Sequence, residues 1–169
     1  SINSAGALSL SGVIRGYDLA STGTGSLILS GTNAYWSTTV SAGTLSVGFD
    51  SNLGIDPITL ASGTTLAVTG ATTVDNAIVL TGAATISNSV NATLSGVISG
   101  GHNLTKAGSG VLTLTGINSY AATNVDAGTL SVSSDNNLGS GAITLAAGTT
   151  LAINGETAID NPIVLTGEA

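Results

Sequence analysis

Residues 108–132, GSGVLTLTGINSYAATNVDAGTLSV, restate residues 23–47, GTGSLILSGTNAYWSTTVSAGTLSV, at a constant offset of 85. The match runs without a gap from 25–84 onto 110–169, where 37 of 60 positions are identical. Further upstream, "LSGVI" begins at Leu10 and again at Leu94, and Ser1-Ile2-Asn3 lines up with Thr85-Ile86-Ser87. The chain therefore divides into two consecutive units, 1–84 and 85–169. Joining Ala169 to Ser1 would recreate the Ala84–Thr85 junction, as expected of a piece of a longer tandem array. Tandem units of this kind stack on one another and bury a shared core that no single unit could bury alone.

A finer period lies inside each unit. Ile58, Ile78 and Ile98 are 20 apart, as are Ile143 and Ile163. Gly43, Gly63, Gly82 and Gly101 step by 20, 19 and 19, and Gly128 follows after 27. On that spacing four steps make one unit, with a longer turn around Gly101–Gly110. Within each step apolar residues alternate with polar ones, as in Leu45-x-Val47, Leu66-x-Val68, Leu130-x-Val132 and Ile163-x-Leu165. Alternation over three to five residues marks a half-buried strand. Clusters such as Asp50-Ser51-Asn52-Leu53-Gly54 and Asp135-Asn136-Asn137-Leu138-Gly139 separate the strands. Their residue types form corners, through positive φ or bonds to their own backbone.

Short strands, frequent corners and a 20-residue step predict an all-β chain, a parallel β-helix or β-solenoid of about eight coils of roughly 20 residues. Inward Leu, Ile and Val then stack in columns, each side chain contributing about 1.5–3 kcal/mol on burial. A globular antiparallel sandwich would account for the strands but not for both periods.

Composition narrows the function. The chain has 24 Gly, no Cys, 2 Lys+Arg and 9 Asp+Glu, for a net charge of −7. Two basic residues cannot neutralise a phosphate backbone, so nucleic acid is excluded as a partner. Without Cys there is no disulfide framework and no thiolate site. No apolar run approaches the ~20 residues of a membrane-spanning helix. No basic start followed by an apolar stretch opens the chain, so an export signal is expected outside this segment.

The residues Gly110, Leu112, Leu114, Gly116, Asn118 and Tyr120, followed by Ala127, Gly128, Thr129 and Leu130, resemble the passenger-associated repeat of bacterial autotransporters. That repeat is also called the autotransporter-associated β-strand repeat. "LSGVISGGHNLTKAGSG", 94–110, is similar to its lead-in, and the resemblance covers both units. The family often has a Gly pair after the Tyr, where this chain has Trp36-Ser37 and Ala121-Ala122. The resemblance implies a right-handed parallel β-helix, exported by type V secretion to the bacterial surface. Members of the family serve there as stalks, adhesins and biofilm components.

His102 is the only histidine and sits in a Gly-Gly-His-Asn corner without a nearby acid, so a Ser-His triad is not expected. Asp75 and Asp160 occupy equivalent "DN" turns 85 apart. Four coils would separate them by about 19 Å, too far to act on one glycosidic bond. Asp50, Asn52, Asp135 and Asn137 supply hard oxygens, but calcium wants six to eight. Tyr35 with Trp36, and Tyr120, are the candidate sugar platforms. The repeated tyrosines suit packing better, whereas Trp36 is unrepeated, like Arg15, Phe49 and Lys106. Thr113-x-Thr115 suggests a threonine row for ice binding, but its counterpart is Ile28-x-Ser30.

These features point to a non-enzymatic structural segment with no catalytic, cofactor or metal site. Its expected role is stalk, adhesin or extracellular fibre on the outer-membrane surface. Expected partners are neighbouring coils or identical segments end to end, and a host or biofilm surface. Membrane attachment would come only through a domain outside the segment. The alternative is a carbohydrate-binding or carbohydrate-active β-helix.

Overall fold

The computed structural model describes residues 1–155 and 158–167; the Ala169 end of the second unit lies outside them. Among these residues the chain is a parallel β-solenoid with three faces. One full coil shows the path. Ala84–Asn88 lies on face one, Ala92–Leu94 on face two and Ile98–Ser99 on face three. Leu104–Ala107 then returns to face one, pairing in parallel with Ala84–Asn88. Face one stacks nine strands, from Ala7–Leu10 to Ile163–Leu165, so it climbs eight steps. Faces two and three hold five strands each.

Alternation sets what each face buries. On face one, Leu27, Leu45, Leu66, Ile86, Lys106 and Val125 form one inward column. Each of them is no more than 2% exposed. The residues beside them point out, and Thr44, Thr65, Thr85, Thr105, Asn124 and Thr144 stack as a half-exposed column. Thus a threonine row does exist, along the stack rather than along the strand. The sequence motif at Thr113 belongs to a shorter row, Thr73–Thr93–Thr113, ending in Ser131 and Ala152.

The structure corrects the number of coils in a unit, not its length. From Thr44, face one climbs through Thr65, Thr85 and Thr105 to Asn124. Those four coils take 124 − 44 = 80 residues, but the sequence copy of Thr44 is Thr129, five residues further on. The copy has turned the corner. Ser26–Leu29 and Thr44–Val47 lie on face one, and their copies Val111–Leu114 and Thr129–Val132 on face two. Thr38–Val40 and Ile58–Leu60 lie on face three, and their copies Thr123–Val125 and Ile143–Leu145 on face one. An 85-residue unit is therefore four coils plus one face.

The 27-residue step from Gly101 to Gly128 has the same origin. Gly128 stacks on the Gly108–Gly110 turn, whose Gly108 and Gly110 carbonyl oxygens would lie 2.6 and 2.7 Å from a Cβ at Gly128. The coil holding Gly101 is followed by Ala121, whose N–H donates to the His102 carbonyl at 3.0 Å. The long step is one coil plus the move to the next face, not one lengthened turn.

Candidate functional site

Each unit has one irregular face, held by asparagines instead of a strand ladder. In the first unit Asn33 accepts from the Ile14 N–H at 2.8 Å and donates to the Asn52 carbonyl at 2.6 Å. Asn52, 3% exposed, donates to the Gly31 carbonyl and accepts from the N–H groups of Gly48 and Phe49. In the second unit Asn118 and Asn137 repeat these bonds to Ile98, Gly116, Ser133 and Ser134. The amide oxygens of Asn52 and Asn137 thus point at backbone donors inside the corner. They are not open to a cation.

Asp50 and Asp135 open single 3₁₀ turns beside these asparagines. Asp50 Oδ1 accepts the Asp75 N–H at 3.2 Å, and Asp135 Oδ1 accepts the Asp160 N–H at 3.3 Å. The acids therefore meet in pairs from successive coils, a grouping the sequence reading did not anticipate. Asp75 and Asp160 themselves precede strands on different faces, three and one, so they look out from different corners of the rod. A shallow cavity of about 350 Å³ beside the second pair is lined by Asn118, Asp135, Asn136, Ser140, Asp160 and Asn161. Among the described residues no three His, Asp or Glu side chains converge as a metal-binding group.

His102 is exposed in a bend, and among the described residues no carboxylate bonds to its ring. Tyr35 and Tyr120 are 1% and 0% exposed, and their hydroxyls meet Thr38 and Thr123 Oγ1 at 3.1 and 2.9 Å. Burial raises both phenol pKa values, and the hydrogen bonds oppose it in part. They are scaffold. Trp36 is different: it is half exposed and meets Tyr17 edge to face, with centroids 5.3 Å apart. Tyr17 went unnoticed in the sequence because its counterpart is His102 and its partner lies one coil away. Arg15 is exposed and bridges to Ala34, and Phe49 is exposed before its 3₁₀ turn.

Lys106 is the least expected. Its side chain is fully buried in the face-one column, between Ile86 and Val125. Its Nζ donates to the carbonyls of Ala107, Gly108 and Ala127 at 2.5–3.0 Å, so all three ammonium protons have acceptors. Burial lowers its pKa. The counterpart in the first unit is Ser21, also buried.

The passenger-associated-transport-repeat family model matches residues 19–47 and 104–132. The chain carries two passenger-associated-transport repeats. No curated protein and no solved structure matches the chain. Each repeat begins on a strand, Leu19–Ser21 or Leu104–Ala107, and ends on the third strand after it, Thr44–Val47 or Thr129–Val132. The Asn33 or Asn118 corner and the buried Tyr35 or Tyr120 stand at its centre. The two repeats superpose in sequence yet start on different faces, three and one. Repeats of this family belong to autotransporter passengers, so the segment is part of a secreted bacterial surface protein.

Proposed function

We propose that the segment is a non-catalytic rod, serving as the stalk of an adhesin or as part of an extracellular fibre. One observation carries this reading: the face-one ladder continues unbroken across both units, with an inward column aliphatic but for Lys106 and an outward column of hydroxyls but for Asn124. Stacked parallel strands about 4.8 Å apart give length and stiffness. The candidate catalytic groups are scattered along that length. The strand edges of Ala7–Leu10 and Ile163–Leu165 would be covered by further coils or by the same segment of another copy. No helix among the described residues is long and apolar enough to cross a membrane.

Removing one 85-residue unit from the displayed protein should shorten its reach by four coils and one face, about 21 Å. Electron microscopy of the surface layer measures this. An unchanged layer thickness would overturn the rod. So would reproducible oligosaccharide hydrolysis by the purified protein that changing Asp75 or Asp160 abolishes.

A further inference from the structure

Two units on one scaffold provide an internal control for what the fold requires. At one corner of the first unit, the Trp36 N–H donates to the Tyr17 carbonyl at 3.2 Å, the Ser37 N–H to Asp18 Oδ1 at 3.1 Å, and the Asp56 N–H to the Trp36 carbonyl at 3.1 Å. At the matching corner of the second unit, Ala121 donates to His102 at 3.0 Å, Ala122 to Asn103 Oδ1 at 3.2 Å, and Gly141 to Ala121 at 3.0 Å. The backbone bonds are the same. The side chains that sustain the corner are kept in kind, Asp18 matching Asn103. The two aromatic rings are not kept: Tyr17 and Trp36 face His102 and Ala121 across the repeat.

Those rings are thus surplus to the scaffold, and they are held out to solvent. Tyr17 is 78% exposed and Trp36 50%, with their planes at 77°. An edge-to-face pair of this kind supports its own geometry. Ile55, whose N–H donates to the Tyr35 carbonyl, extends the apolar strip to a third coil. Asp18 and Asp56 flank the strip, and Arg15 lies two residues before Tyr17. Aromatic faces with acidic residues and an arginine next to them in the chain match a ligand with apolar C–H faces and a rim of hydroxyls.

We infer that the Tyr17–Trp36 ridge is a saccharide-binding site. The strip spans three coils, about 10 Å, which suits a short oligosaccharide. It is far smaller than the ~800 Å² per partner that a stable protein interface buries. The stacked coils hold both rings before any ligand arrives, so little conformational freedom is lost on binding. The site belongs to the first unit alone and goes beyond a role as rod.

Trp36 is the only tryptophan, so its emission reports the site directly. The labelled chain is first applied to a glycan array of neutral, amino and acidic oligosaccharides. The best-bound glycan is then titrated in solution, following heat and Trp36 emission. We expect saturable binding with an emission shift. Tyr17→His and Trp36→Ala, which install the residues of the second unit, should each weaken binding by about tenfold or more, roughly 1.4 kcal/mol. Their melting temperatures should stay near the parent's, which separates lost contact from lost fold. An array without signal would overturn the inference. So would binding undiminished in the double variant, or self-association of the chain that Trp36→Ala abolishes, since a second copy would then be the occupant.

Discussion

Gly54 lies against the ring of Tyr35: a Cβ there would stand 2.6 Å from Cε2. Gly139 and Tyr120 repeat the relationship at the same distance. The tyrosine of each repeat is therefore matched to a glycine one coil later, which has no room for a side chain while the ring is in place. Gly54→Ala should destabilise by about 1–3 kcal/mol, the usual cost of overpacking, or more because backbone is also in the way. Gly101→Ala, where nothing stands within 4 Å, is the control and should change little. Urea denaturation of the two variants checks this.

The buried phenols also set an alkaline limit. Their pKa values are raised by burial above the ordinary 10.0. Their contribution is fully present below the unfolded value and is lost as pH rises through the folded ones. The urea midpoint should fall above about pH 10. In the Tyr35→Phe/Tyr120→Phe variant that fall should shrink, at a neutral-pH cost of about 1 kcal/mol per hydroxyl.

Lys106 acts in the opposite sense. Its folded pKa lies below the ordinary 10.5, so between the two values the unfolded chain binds more protons. Stability should rise with pH across that window. Lys106→Met should flatten the rise, and at neutral pH it should be neutral or stabilising, because no buried charge remains. A pH series of thermal melts on both proteins distinguishes these outcomes. A wild-type profile identical to that of the variant would mean that Lys106 keeps its proton without penalty.

Asn137 closes its corner with one donated bond and two accepted from backbone N–H groups. Asn137→Ala would leave the Gly116 carbonyl and the two N–H groups unpaired, and should cost about 1–3 kcal/mol for each group that water cannot reach. Asn136→Ala, on the exposed neighbour, should cost little. Hydrogen exchange at Ser133 and Ser134 would localise the loss.

Leu130 is fully buried, whereas Thr113 on the preceding strand faces outward. Leu130→Asp should cost more than about 4 kcal/mol, since it buries an unpaired carboxylate. Thr113→Ser should stay within about 0.5 kcal/mol. Comparable losses would mean that the alternation has been assigned to the wrong side.

The strands and their stacking were legible because alternation and the 20-residue step are local signals. Leu45, Leu66 and Ile86 carry both. The face on which a strand lies is not local. It depends on the summed length of every corner before it, so Thr44 and Thr129 look equivalent in sequence while lying on different faces. The bond between Asp50 and Asp75 was not legible for a related reason: their coil-to-coil offset is 25, set by a longer corner. Lys106 stands out in the sequence only as unrepeated, because the groups that make its burial possible are not local to it. The carbonyls that receive its ammonium come from a turn 21 residues away as well as from its own.

The extra face per unit has a consequence for contact with flat surfaces. In any longer array of this unit, each successive copy of a corner is turned by one face, so equivalent corners wind around the rod. Three units return to the starting direction after thirteen coils, a pitch of about 62 Å. A planar target lying along the rod can touch only every third copy. Partners that wrap the rod, or that approach from all sides, meet every copy. Avidity on this scaffold is thus set by the winding of the repeat as much as by the number of repeats.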